Sequence, residues 1–134
     1  MLTIHATPGL AVAVEGERVL DLGPAEQLAA AYPRARVRRW AGVIGPGRLH
    51  EGPLPEAPSA RERVHALLRA GATAAHPAQL ADPELRAAAH RGGLAALDQP
   101  PTLVVGGRAD LAVFAEDGSC LATVLAGRLV HRRA

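Results

Sequence analysis

A chain of 134 residues with 49% apolar and 21% charged residues has the composition of one globular domain, too short for two substantial cores and too apolar to stay disordered. Its aromatics are one Phe, one Tyr and one Trp, so the core must be built from Ala, Leu and Val, and modest stability or support from self-association is expected. Every one of the 15 basic residues is arginine, the formal charge is only +2, and no aromatics are interleaved with the Arg34 to Arg39 cluster, which argues against nucleic-acid binding.

The chain opens with two short apolar runs, Leu2 to Ala6 and Leu10 to Val14, separated by the reversal Thr7-Pro8-Gly9. Glu15 and Gly16 then supply a tight turn, so Ala11 to Val14 and Arg18 to Leu22 are expected to pair as a hairpin. Pro24 at a helix start and Tyr32-Pro33 at its end delimit a short helix over residues 24 to 31. A strand follows over Ala35 to Trp40, with Arg36 and Arg38 turned outward. Gly42 to Ile44 is a further short strand, and Gly45-Pro46-Gly47 is read as a turn.

The middle of the chain changes character. Prolines 53, 55 and 58 make residues 51 to 59 a loop. Ser59 with Glu62 has the spacing of a capping box, Val64, Leu67 and Leu68 form one apolar stripe, and Gly71 closes the helix. Asp82-Pro83 opens a second helix that Gly92-Gly93 ends, and the Ala-rich run from Ala72 to His76 between them is expected to be a buried strand. Strands return at Asp110 to Phe114, Cys120 to Ala126 and Arg128 to His131, with turns at Glu116 to Ser119 and at Gly127. Strands at both ends around a helical insert predict an α+β fold, with residues 1–134 a single domain: a small β-sandwich from 1–50 and 102–134, and a helix-strand-helix insert at 51–101.

The single cysteine, Cys120, rules out an internal disulfide and fits a reducing compartment. No apolar run approaches the ~20 residues that span a bilayer, and the first ten residues lack the pattern of a secretory signal. A cytoplasmic protein without membrane association is expected.

Two stretches resemble the composite domain of the amidohydrolase superfamily, in particular imidazolonepropionase and aminodeoxyfutalosine deaminase. The first is Leu2 to Leu49, with its opening strand pair, Gly16-Glu17-Arg18-Val19, Asp21-Leu22-Gly23, Tyr32-Pro33 and Gly45-Pro46-Gly47. The second is Gly107-Arg108-Ala109-Asp110-Leu111-Ala112-Val113 followed by Thr123 to Val130. The resemblance implies a β-sandwich made by both chain ends, into which the family's enzymes insert a metal-bearing barrel. It also implies a His-x-His metal pair after the Pro-Gly, and that spacing falls on Gly52 and Leu54, neither of which binds metal. A (β/α)8 barrel takes about 250 residues, whereas Gly52 to Pro101 holds only fifty, and Leu68-Arg69-Ala70-Gly71-Ala72-Thr73 resembles the first turns of such a barrel.

The six histidines show no close pair at ligand spacing and no Cys or carboxylate cluster beside them, so no metal and no other cofactor is expected. His76, ending the central strand, and His50 with Glu51, in a turn-rich loop, are the candidate ligand-binding residues; no catalytic residue is assigned. Cys120 and Trp40 read as core, and Asp110 as a residue that caps backbone. The expected function is that of a non-catalytic composite-domain protein that self-associates or binds a protein partner, because a sandwich without its barrel leaves an apolar face to cover. The alternative is a small-molecule binding module or minor enzyme tied to the futalosine route to menaquinone or to histidine breakdown, where the resembled enzymes act.

Overall fold

The computed structural model describes residues 1–133. Strands β1 (Leu2–Ala6), β2 (Ala11–Glu15) and β3 (Arg18–Gly23) form an antiparallel meander, in which Gly16, at φ 59°, makes the predicted tight turn. Helix α1 (Ala25–Ala31) follows Pro24, and β4 (Arg36–Arg39) returns parallel to β1. The first sheet therefore runs β3-β2-β1-β4.

After β5 (Val43–Pro46) the chain enters the insert. β6 (Arg48–His50) lies before the 51–101 segment but pairs with its central strand, so the unit begins at residue 48 and consists of β6, α2 (Ala60–Arg69), β7 (Ala72–Ala75), a 3-10 turn at Pro77–Leu80, α3 (Pro83–Gly92) and β8 (Ala95–Ala96). Its three strands are parallel in the order β6-β7-β8, so β6-α2-β7-α3-β8 is two successive β-α-β units. The cap signals act as expected: Ser59 Oγ accepts from Glu62 N at 3.1 Å, Asp82 Oδ2 accepts from Leu85 N at 3.1 Å, and Gly93 ends α3 at φ 84°. The chain then closes with β9 (Leu111–Phe114), β10 (Cys120–Leu125) and β11 (Arg128–Arg132), forming a second antiparallel sheet in the order β11-β10-β9-β5.

Side-chain alternation along β2 and β10 sets the layers. Ala11 and Ala13 pack with Ile4 and Leu28 under α1, whereas Val12 and Val14 meet Ile44, Leu111, Val113 and Val124 of the second sheet. The two four-stranded sheets thus enclose the sandwich core. On β10, Ala122 and Val124 face that core, while Leu125 joins the cluster of Val64, Leu67 and Leu68 in the insert. Thr123 Oγ1 donates to Leu68 O at 2.6 Å across the same boundary. The outer face of the second sheet is therefore covered by the insert, within the chain. This is an α+β fold, and none of its described sheets closes into a barrel.

Two local expectations are corrected. Gly45-Pro46-Gly47 is not a turn: Gly45 and Pro46 extend β5 and pair with Ala112 and Leu111 of β9. Proline is tolerated there because β5 is an edge strand, where one side of the backbone needs no partner. Arg38 is turned only partly to solvent. It sits half-buried opposite His5 in the β1–β4 register, while Arg36 and Arg39 are exposed.

Candidate functional site

Sites in β/α architectures form where the carboxyl ends of parallel strands converge, and His50, Glu51 and His76 lie at that edge of the insert. His50 ends β6 and pairs with Ala75, the last residue of β7, so His76 follows one position further on the neighbouring strand. Adjacent strands thus bring the two histidines to one edge. Their rings are engaged locally. His50 Nε2 donates to Pro53 O at 2.9 Å, and His76 Nδ1 accepts from Ala78 N at 3.3 Å, capping the 3-10 turn. Both bonds fix the tautomer with the proton on Nε2. Glu51 is exposed.

Position 54, where the resemblance implies a metal-binding histidine, is Leu54, which is buried among Val64, Leu67, Leu80 and Leu85. Its loop is fastened by Arg63, whose guanidinium donates to Leu54 O and Pro55 O at 3.0 Å each. Position 52 is Gly52, at φ 77°. Among the described residues, no three His, Cys, Asp or Glu side chains group so as to hold a metal ion.

Sequence reasoning missed three features. The first is a buried polar pair: Trp40 Nε1 donates to His5 Nδ1 at 3.3 Å, and the rings stack with centroids 6.4 Å apart. Burial, and secondarily the Arg38 charge, lowers the His5 pKa to about 4. A histidine flanked by apolar residues on a strand was the available signal. The second is a latch between insert and sandwich. Arg108 donates to Asp110 Oδ1 at 2.9 Å and to Gly93 O, and the same Asp110 oxygen accepts from Ala126 N at 2.8 Å. Asp110 therefore caps backbone as expected, and also anchors the ion pair. The third is a cavity of about 840 Å³, which lies away from His50 and His76, between α2 and α3 over Val64, Leu68 and Ala88. Cys120 is buried, its Sγ 3.3 Å from Thr123 Oγ1.

The two face-to-face sheets draw their strands from both ends of the chain, and the short β/α insert lies on the outer face of the second. Comparison with known proteins gives a match at the N-terminal end. Residues 11–35, from β2 through α1, match the sequence model of the imidazolonepropionase-like composite domain of bacteria. No curated protein sequence matches the chain. Among solved structures, guanine deaminase from Bradyrhizobium japonicum is similar with TM-score 0.48 and 21% identity, over 66% of this chain and 27% of that one. Ochratoxinase from A. niger gives TM-score 0.48 and 16% identity, over 75% and 30%. Aminofutalosine deaminase from Helicobacter pylori gives 0.42 and 12%, over 56% and 27%. The chain thus spans less than a third of the length of each of these structures. No described helix is long and apolar enough to cross a membrane.

Proposed function

We propose that this chain is a non-catalytic composite-domain protein, an accessory protein that acts by binding another protein or a second copy of itself. The observation that carries the reading is the fate of the positions where the resemblance implies metal ligands: Gly52 has no side chain, and Leu54 is only 3% exposed, committed to the core under α2. Three parallel strands also stand where a barrel active site draws its residues from the ends of up to eight. The rings of His50 and His76 serve the backbone of their own loops, which supports a structural role for them.

The insert covers the outer face of the second sheet, so the surface available to a partner lies at the free sheet edges. The test is direct. Purified chain incubated with zinc and desalted is expected to retain no stoichiometric metal and to release no ammonia from aminodeoxyfutalosine and open no ring of imidazolonepropionate. Retained metal together with turnover of either compound refutes the proposal.

A further inference from the structure

Strand β4 ends the first sheet, paired to β1 on one side only. It lies in a segment with arginine at positions 34, 36, 38 and 39, whereas residues 1–33 carry four acids and one arginine. Among the described residues the one ion pair is Arg108–Asp110, so none of these four guanidiniums has a carboxylate partner among them. Arg36 and Arg38 align with Thr3 and His5, and Val37 and Arg39 with Ile4 and Ala6, which places positive charge on both faces of the edge. Val37 is 40% exposed. Beside Arg34 and Arg36, a cavity of about 620 Å³ opens against Leu2 and Ala35.

We infer that the β4 edge docks an extended, acidic segment of another protein, which adds to the first sheet as a fifth strand. The inference rests on the partner-binding reading above and names the partner's chemistry. An edge strand offers unpaired backbone N–H and C=O groups at β spacing, so an incoming strand gains ladder hydrogen bonds, and alternate side chains set its specificity. Here those side chains meet Arg36 on one face and Arg39 on the other, so carboxylates on both sides of the partner strand are matched, and an apolar residue at its end fits the Leu2–Ala35 cavity. A second copy does not suit the site: two β4 edges laid together would oppose arginine with arginine. The same charge that repels a copy recruits an acidic chain and speeds its encounter.

The experiment uses the full chain, labelled with nitrogen-15, and a blocked peptide of sequence Val-Glu-Glu-Thr-Glu-Glu-Val, which carries carboxylates on both faces of an extended strand and an apolar residue at each end. Amide shifts and protection from hydrogen exchange are expected to concentrate at residues 35–40, and affinity to fall about tenfold between about 50 and 300 mM NaCl. The double variant Arg36→Gln/Arg39→Gln, both exposed positions, is expected to keep the far-UV spectrum and lose at least about tenfold in affinity, since each substitution removes one charge-assisted contact. The outcomes that overturn the inference are shifts located elsewhere, equal binding of a peptide with Lys in place of Glu, an unaffected double variant, or tighter binding of a single-stranded oligonucleotide at about 150 mM salt. Peptide binding and the metal and turnover assays are independent, so failure here leaves the non-catalytic reading to its own test.

Discussion

Lowering the pH from about 7.5 to about 4 is expected to destabilise the fold by about 3 kcal/mol through one side chain, His5. The residue is 3% exposed and accepts the Trp40 indole N–H on Nδ1, so protonation would remove that acceptor and add a cation next to Arg38. Burial first, and the Arg38 charge second, hold its pKa at about 4 in the folded protein, against 6.5 when free. The sign follows from proton uptake. Between pH 6.5 and 4 the unfolded chain takes up this proton and the folded chain does not, so stability present above 6.5 is lost progressively down to about 4 and no further below it. At about 1.4 kcal/mol per pH unit the interval amounts to about 3 kcal/mol, a sizeable part of the 5 to 15 typical, roughly, of a domain. Urea unfolding followed by far-UV circular dichroism across this range measures it, with His5→Asn as the control. Asn keeps an acceptor for the indole and does not titrate, and carboxylates that protonate in acid affect both proteins equally. Parallel stability curves for the two proteins would refute the reasoning.

Three further outcomes follow from packing and polar satisfaction. Thr73 is fully buried and its Oγ1 has no hydrogen-bond partner among the described residues, so Thr73→Val is expected to raise stability by about 1 kcal/mol, read as a higher Tm. Gly47 lies against that same side chain, where a Cβ would collide with it, so Gly47→Ala should cost about 1–3 kcal/mol, a loss that Thr73→Ala in the same chain partly restores. Asp110→Ala leaves Ala126 N and Arg108 Nε without their acceptor and should cost about 2–4 kcal/mol, with hydrogen exchange accelerated first where the insert meets the sandwich, near Gly93 and Ala126.

The sequence carried its clearest information where structure is local. Gly16, Ser59, Asp82 and Gly93 each govern a turn or a helix end through their own backbone preference or a side-chain bond three residues away, and each acts in the fold as read. Strand β6 was invisible because three residues hold no periodicity, and pairing with β7 is what makes it a strand. At the site, residue types alone indicated that Gly52 and Leu54 cannot ligate metal. That the His50 and His76 rings are taken up by Pro53 O and Ala78 N was not legible, since those bonds depend on the path of each loop after its strand.

Composition and local chemistry by themselves determined an α+β chain with strands from both termini and the position of its helices. Tertiary structure alone decided the rest: that β4 lies parallel to β1 at an open edge, that Pro46 joins a ladder, and that Leu125 and Thr123 turn the outer face of the second sheet toward the insert. The physical reason is the range of the forces. A cap or a turn is settled among residues a few positions apart, whereas an edge, a buried face or a shifted pKa exists only once distant segments exclude water from one another.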